Sequence, residues 1–251
     1  KKAKPVEFGT LEAAPAWGPI QILGAEVAPG SRRELHWTAG ESFDGRAIET
    51  PVIVTRGARA GPTLCLTAAV HGDELNGVEI VRRIMRDVDP EALSGTLLGV
   101  PIVNLLGFSR ASRYLPDRRD LNRYFPGHPY GSSASRIAHG LFENIVLHCD
   151  WLVDFHTGSF KRTNLPQLRA NLTVPEVKAF VERFGATAVL HKEGAKGTLR
   201  SAATQAGVPA VAFELGEPGT LQLDSVEFGV KAVNTLLNKL EMVVRFNLWS
   251  E

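Results

Sequence analysis

Hydrophobic residues in this chain form short uninterrupted runs that alternate with segments in which apolar positions recur at helical spacing. The runs at residues 63–70, 96–103, 151–155, 186–190 and 209–213 predict buried strands. Helical spacing predicts helices at 75–88, 135–147, 174–184, 199–206 and 226–244, and a capping box beginning at Thr173 is expected to open the third. Strands alternating with helices predict an α/β fold: a mixed, mostly parallel sheet with helices on both faces.

The sequence before this alternation has a different pattern. Candidate strands at residues 20–27, 33–37 and 47–56 are separated by turns rich in glycine. We therefore expect N-terminal β-rich lead-in strands over residues 1–50, one large domain over 51–244 and the remnant of a C-terminal segment over 245–251.

Charge and cysteine content narrow the classes of function. The formal net charge is +1, which gives no basis for a nucleic-acid surface. Residues 97–108 are too short to span a bilayer and residues 1–5 lead into no signal-peptide core, so we expect no membrane partner and a cytoplasmic protein. Cys65 and Cys149 lack the spacing of a disulfide framework or a thiolate metal site, and we interpret both as small buried hydrophobic residues.

Three predicted strands end in residues of the types that bind metal ions. His71 and Glu74 follow the run at 63–70, His156 follows the run at 151–155, and Glu214 follows the run at 209–213. Ligands of open α/β sheets bind at the carboxyl ends of the strands, so these side chains are expected to meet. Two histidines and one glutamate suit a catalytic zinc ion, which keeps three protein ligands and a fourth position for water.

The remaining carboxylate, Glu214, directly follows an apolar strand and is the candidate for the group that takes and returns a proton. Each residue also has a structural interpretation, because a histidine at a strand end is often a surface residue and Glu214 could pair with an arginine. Their joint occurrence at three strand ends favours the metal site. Asp154 is a candidate partner of the site, although strand alternation could turn it away from the metal.

Residues 107–129 form a long segment without clear periodicity, which contains Arg110, Arg113, Arg118, Arg119 and Arg123. A run of arginines is usually a solvated face. The guanidinium group also binds carboxylates through two hydrogen bonds and stabilises oxyanions. The segment therefore favours a small-molecule substrate that carries a carboxylate.

Four motifs occur in the order and rough spacing of the succinylglutamate desuccinylase/aspartoacylase family, which is similar to the zinc carboxypeptidases of the M14 type. The motifs are His71-Gly72-Asp73-Glu74, Asp120-Leu121-Asn122-Arg123 followed by Phe125-Pro126-Gly127, Asp154-Phe155-His156-Thr157-Gly158, and Phe213-Glu214-Leu215-Gly216. The resemblance covers roughly residues 52–244 and implies that residues 51–244 form a zinc hydrolase catalytic domain.

The resemblance implies one zinc ion per chain, held by His71, Glu74 and His156. It further implies that Glu214 is the general base and acid. Arg113 is the best match to the arginine that polarises the scissile carbonyl, with Arg110 and Arg119 as alternatives.

Substrate binding is implied for three further residues. Asn122 and Arg123 match the pair that holds a substrate carboxylate, and Arg200 resembles an arginine that also contacts the substrate. Lys196 stands where aspartoacylase has a substrate-contacting tyrosine, which argues against aspartate specificity, and residues 163–169 look more like the bacterial deacylase branch.

These observations lead to the hypothesis of zinc-dependent hydrolysis of the amide bond in a small N-acyl amino acid or a related carboxylate-bearing substrate. A carboxypeptidase-type metallopeptidase is one alternative, because the same site would cut peptides. A non-catalytic zinc-containing binding module is an alternative from another class. The sequence leaves the acyl group, the amine and the formation of a homo-oligomer open.

Overall fold

The structure, a computed structural model, describes residues 17–41, 47–185 and 187–243. Its strands are β1 (Ile20–Ile22), β2 (Ala25–Val27), β3 (Ser31–Glu41), β4 (Ala47–Arg56), β5 (Arg59–Thr67), β6 (Ser94–Val100), β7 (Trp151–His156), β8 (Asn164–Ala170), β9 (Ala188–His191) and β10 (Ala210–Gly216). Its α-helices are α1 (Asn76–Asp87), α2 (Leu105–Phe108), α3 (Ser133–Asn144), α4 (Pro175–Val181), α5 (Leu199–Gln205) and α6 (Leu223–Lys239). Single 3₁₀ turns cover Leu121–Arg123, Val146–His148 and Glu182–Phe184.

Eight strands form one mixed sheet in the order β3-β4-β6-β5-β7-β10-β8-β9, and β1 pairs with β2 in a separate hairpin. The four central strands β6, β5, β7 and β10 are parallel to one another. β4 and β8 run antiparallel to the central strands beside them, and β9 is parallel to β8. The predicted fold class, a mixed and mostly parallel sheet, is confirmed.

Helices cover both faces of the sheet because each carries an apolar stripe. On one face α3 and α5 contribute Ile137, Leu141 and Leu199 to a buried cluster. On the other face α1, α4 and α6 contribute a second cluster that includes Ile80 and Phe180. The central strands are therefore buried on both sides, as their continuous apolar runs predict.

Several local predictions need correction. Residues 20–27 form a hairpin rather than one strand, with Leu23 and Gly24 at its turn. The capping box at Thr173 is wrong, because the residue that caps α4 is Val174 and makes no side-chain cap. The last helix ends at Lys239 rather than at residue 244. No strand was predicted at residues 164–170, where β8 lies.

The interpretation of the cysteines as unpaired is also wrong. Cys65 and Cys149 form a disulfide, with their Cα atoms 5.8 Å apart. Cys65 lies in β5 opposite Leu152 of β7, and Cys149 lies two residues before β7. The pairing of these two strands therefore brings together residues 84 positions apart. Sequence spacing alone contains no signal for such a contact.

The expected boundary at residue 50 falls inside β4, and both β3 and β4 belong to the eight-stranded sheet. Within the described part of the chain, no helix is both long enough and apolar enough to cross a membrane.

Candidate active site

The parallel neighbours β5, β7 and β10 bring the three strand-end motifs to one edge of the sheet. His71 lies in the turn between β5 and α1, and Glu74 lies just before α1. His156 is the last residue of β7, and Glu214 pairs with it in register on β10. The predicted meeting of these residues therefore follows from the strand order.

Backbone geometry fixes the turn that carries His71. Ala69 has a φ of 48°, a left-handed conformation that turns the chain away from β5. A Cβ atom on Gly72 would overlap the backbone of Gly107 and Phe108 in α2. Glycine is required at this position because α2 packs directly against the turn.

Three ligand atoms converge at this edge. Nδ1 of His71 lies 2.9 Å from Oε1 of Glu74, and Nδ1 of His156 lies 2.9 Å from Oε2 of the same carboxylate. The two Nδ1 atoms are 3.2 Å apart. His71, Glu74 and His156 are all buried, and their ligand atoms lie within 4.8 Å of one another.

The outer nitrogens of both imidazoles face carboxylates. His156 Nε2 donates to Asp154 at 2.7 Å, and His71 Nε2 donates to Asp120 at 3.1 Å. These partners hold a proton on each Nε2, which leaves the Nδ1 lone pairs pointing at each other and at Glu74. In this arrangement the two Nδ1 atoms and the Glu74 carboxylate form a set of three donor atoms that fits zinc.

Asp154 therefore faces the site and not away from it. Residues two apart on a strand share a face, so Asp154 and His156 point in the same direction. Asp154 also accepts a hydrogen bond from Thr67 at 2.8 Å, which fixes its carboxylate.

Burial and neighbouring charges shift the pKa values of several side chains in the site. Burial disfavours the charged form of His156, but the adjacent Asp154 and Glu74 carboxylates outweigh it and raise the pKa of His156 well above its usual value. Burial likewise opposes the charge of Glu74, yet His71 and His156 hold the pKa of its carboxyl well below the usual range. The pKa of Asp120 is also lowered, because its bond to His71 and the charge of Arg113 outweigh its burial.

Arg113 is the arginine that reaches the ligand cluster. Its Nη1 donates to Glu74 Oε1 at 3.0 Å, and its Nη2 donates to Asp120 at 3.3 Å. Of the alternatives, Arg119 pairs with Asp117 on the surface, and neither it nor Arg110 lines the cavity. Arg113 is thus the one of these three arginines that lines the cavity beside the ligand-type residues.

Glu214 lies in a polar setting and not in the apolar one suggested by the strand before it. Its Oε1 is 3.0 Å from Nη1 of Arg169, and its Oε2 accepts from Nδ2 of Asn164 at 2.8 Å. Only 6 % of Glu214 is exposed. The neighbouring Glu217 bonds instead to Thr163 at the surface.

Asn122, Arg123 and Arg200 line the same cavity. Asn122 Oδ1 accepts from the backbone N–H of Leu199, which ties the 3₁₀ turn to the start of α5. Arg200 is buried and donates to the carbonyl of Lys192. Burial lowers the pKa of Arg200, and the nearby charge of Arg169 lowers it further.

The cavity has a volume of about 290 Å³ and is strongly cationic. Six cationic side chains and three carboxylates line it; the cations are Arg113, Arg123, Arg162, Arg169, Lys192 and Arg200, and the carboxylates are Glu74, Asp154 and Glu214. Four lining residues carry no sequence-based prediction of a role: Arg162, Asn164, Arg169 and Lys192. Three of these four lie in or next to β8, the strand that pairs with β10 beside Glu214.

Two residues singled out in the sequence lie outside the cavity lining. The carbonyl of Asp73 accepts from the N–H of Gly219 at 2.7 Å, and its Oδ1 is buried without a hydrogen-bond partner among the described residues. Lys196 is exposed.

Comparison with known proteins agrees with this geometry. The sequence model of the succinylglutamate desuccinylase/aspartoacylase catalytic domain matches residues 60–240. The chain belongs to this family. Its predicted membership is thereby confirmed.

Two relatives bear the names of amide hydrolases. Over 119 residues the chain is 34 % identical to the N-alpha-acetyl-L-2,4-diaminobutyric acid deacetylase of Halomonas elongata, a match that covers 47 % of this chain and 34 % of that protein. The structure of a succinylglutamate desuccinylase/aspartoacylase from Rhodobacter sphaeroides has 27 % identity and a TM-score of 0.77, covering 85 % of this chain and 66 % of that one. The chain thus matches about a third of the curated relative and less than two thirds of the Rhodobacter chain.

A similar fold also occurs in a more distant protein, a metallo-carboxypeptidase. A metallo-carboxypeptidase from Burkholderia cenocepacia has a TM-score of 0.63 at 16 % identity, covering 83 % of this chain and 65 % of that chain. At this identity the likeness concerns the fold alone, and it agrees with the predicted zinc carboxypeptidase-like architecture.

Proposed function

We propose that this protein is a zinc-dependent deacylase that hydrolyses the amide bond of a small N-acyl amino acid. The observation that carries the proposal is the convergence of a His71–Glu74–His156 ligand set, the carboxylate Glu214 and the guanidinium of Arg113 on one cationic cavity. Family membership supports this choice, because the two relatives bear the names of amide hydrolases.

His71, Glu74 and His156 would hold one zinc ion per chain. When bound, zinc supplies a Lewis acid that activates water and polarises a carbonyl oxygen. Asp120 and Asp154 keep the two imidazoles oriented, and Arg113 fixes Glu74 from the cavity side.

Arg113 binds the carbonyl oxygen of the substrate in this proposal. A guanidinium group has five N–H donors, and Arg113 uses only two of its nitrogens on Glu74 and Asp120. Its free N–H groups stabilise the negative charge that develops on the oxygen as the amide is attacked.

Glu214 transfers the proton. It takes a proton from the attacking water and returns it to the nitrogen of the leaving amine. Each carboxylate oxygen has two lone pairs, so the bonds from Arg169 and Asn164 leave acceptor capacity free.

Arg123, Asn122 and Arg200 bind the carboxylate of the substrate. Arg200 is buried and forms no ion pair with the residues that the structure describes, so an anionic ligand would compensate its charge. The surplus of cations over carboxylates further favours substrates with two or more carboxylates over those with a free ammonium group.

The decisive test is Glu214→Gln. The variant should retain zinc, because Glu214 is outside the ligand set, and should lose about 10²- to 10⁴-fold in kcat. Glu217→Gln, three positions away and outside the cavity, is the matched control and should keep full activity. Zinc content and the hydrolysis rate of N-acyl amino acids are measured together, and undiminished turnover by Glu214→Gln would refute the mechanism.

The substrate class is tested with a panel of N-acetylaspartate, N-succinylglutamate, N-acetyl-2,4-diaminobutyrate and short peptides. The charge of the cavity predicts faster hydrolysis of the two acidic substrates than of the diaminobutyrate derivative. A clear preference for peptides would instead identify a carboxypeptidase. Failure to hydrolyse any member with zinc in place would favour a binding module.

A further inference from the structure

Both carboxylate oxygens of Glu214 are held by side chains of β8. Nη1 of Arg169 forms an ion pair with Oε1 at 3.0 Å, and Asn164 donates a hydrogen bond to Oε2 at 2.8 Å. These two residues hold the carboxylate from one side, while His156 lies across the strand pair on the other side. Glu214 is therefore the one member of the proposed machinery whose orientation is set by the antiparallel strand.

The pairing of β8 with β10 explains how these side chains reach Glu214. Arg169 lies opposite Ala212, which shares a face with Glu214 because the two are two residues apart. Regular pairing would then place residue 165 opposite Gly216. The register shifts in this interval, and Asn164 takes that place instead.

The register shift has a direct chemical consequence. An extra residue in β8 turns the amide of Asn164 toward the cavity and leaves Leu165 facing solvent with 82 % of its surface exposed. Bulges of this kind re-aim side chains and are frequent beside active sites. Without the shift, an apolar side chain would face the carboxylate of Glu214.

We propose that Arg169 is a positioning residue for Glu214. It holds the carboxylate in the direction needed for proton transfer and prevents it from turning toward the other positive charges of the cavity. The inference rests on the proposed function, because it assumes that Glu214 is the proton-transfer group.

The charges around Glu214 make such a restraint necessary. Arg200 and Lys192 line the same cavity, and the proposed metal ligand His156 lies on the adjacent strand β7. A nearly buried carboxylate that lost its guanidinium partner would move toward another cation. Proton transfer depends steeply on geometry, and a displacement of about 1 Å can cost about 100-fold in rate.

The bonding of Arg169 itself supports this role. Its Nε is buried without a hydrogen-bond partner among the described residues, although unpaired buried donors are costly. The position of the Arg169 side chain therefore does not satisfy all of its own N–H donors. Within the described ranges, the ion pair with Glu214 is the single one that Arg169 forms.

The test combines three substitutions at Arg169. Arg169→Met should lower kcat by about 100-fold with an unchanged KM and unchanged zinc content. Arg169→Lys should recover part of the rate, because lysine restores the charge but not the planar fork. Arg169→Ala should be rescued by guanidinium chloride at sub-denaturing concentration, and not by urea or by sodium chloride of equal ionic strength.

Arg136→Met, which removes a surface guanidinium outside the catalytic cavity, is the control and should behave like the parent. Asn164→Ala tests the second bond if the Arg169 variants do not fold, and it should also lower kcat at constant KM. A raised KM at constant kcat would overturn the proposal, because it would make Arg169 a substrate ligand. A rate close to that of the parent for Arg169→Met would also overturn it. Glu214→Gln is assayed in parallel: if that variant is active the proposed function fails, and if it is inactive while Arg169→Met is not, only the positioning role fails.

Discussion

Asp154→Asn should weaken zinc binding without changing the ligand set. The carboxylate is 1 % exposed, accepts from His156 Nε2 at 2.7 Å and accepts from Thr67 at 2.8 Å. Asparagine keeps the size of the side chain and removes its charge. His156 then loses the anion that makes it a stronger base and a stronger metal ligand.

The expected loss is about 10- to 100-fold in zinc affinity, which corresponds to about 1.4 to 2.8 kcal/mol. The upper part of this range is expected, because the bond is short and excluded from water. The corresponding change Asp120→Asn should have a smaller effect on zinc affinity, since that bond is 3.1 Å long and 16 % of the Asp120 side chain is exposed.

The pH dependence sharpens this prediction. Asp154 raises the pKa of His156, so in the parent protein protons compete strongly with zinc for the imidazole. In Asp154→Asn that pKa falls and fewer protons compete. The deficit in zinc affinity should therefore be partly masked in acid and fully visible at alkaline pH, where both imidazoles are unprotonated.

Competition with a chromophoric chelator over a range of pH measures this effect. Asp150→Asn is the matched control, because Asp150 precedes the opposite end of β7, is exposed and bonds to the N–H of Thr63. It should bind zinc like the parent. Equal affinities of Asp154→Asn and the parent at alkaline pH would show that the Asp154–His156 bond does not support metal binding.

Two further predictions concern protons and the disulfide. The pKa values of His71 and His156 are raised, so the metal-free site should hold protons near neutral pH. Zinc binding should therefore release protons, and the affinity for zinc should fall as the pH falls. Calorimetry in buffers of different ionisation enthalpy measures this release, and binding heats that do not depend on the buffer would contradict it. The Cys65–Cys149 bond joins residues 84 positions apart, so in the chain-entropy account its reduction should lower the free energy of unfolding by about 4.5 kcal/mol. Urea denaturation with and without reductant tests this. The double variant Cys65→Ala/Cys149→Ala is the control and should not respond to reductant. If the parent protein has the same unfolding midpoint with and without reductant, the result would contradict the bond.

The convergence of His71, Glu74 and His156 could be predicted from the sequence because its signals are local. His71 and Glu74 lie in one turn, and His156 and Glu214 each end an apolar run. Parallel neighbouring strands place their carboxyl ends together, so the convergence of these residues follows from the order of the strands alone. Asp154 and Asp120 accept hydrogen bonds from the Nε2 atoms of the two imidazoles. Asp154 was a candidate from the sequence, because it is two residues from His156.

The environment of Glu214 could not be predicted in the same way. β8 contains Pro166 and a register shift, so its apolar and polar residues do not alternate regularly. Its partner is β10, which is 40 or more positions later in the chain, and only the pairing of the strands reveals that Arg169 faces Glu214. The disulfide was missed for the same reason, because the contact depends on the adjacency of β5 and β7.

The charges that line the cavity fall into a balanced group and an unbalanced group. With neutral imidazoles, Arg113 and the proposed zinc ion would together balance the carboxylates of Glu74, Asp120 and Asp154. Glu214 is balanced by Arg169. The positive charge left over belongs to Arg123, Arg162, Lys192 and Arg200, none of which bonds to a metal ligand.

Under the proposed function, chemistry and selectivity would therefore be carried by different segments. The turns after β5 and β7 supply the proposed metal ligands. The 3₁₀ turn at Leu121–Arg123, the loop before β8 and the segment from Lys192 to Arg200 supply the surplus cations. Changes in those three segments can alter which carboxylates are bound while leaving the metal ligands intact. The number and position of carboxylates on the preferred substrate should therefore follow these cations more closely than they follow the four shared motifs.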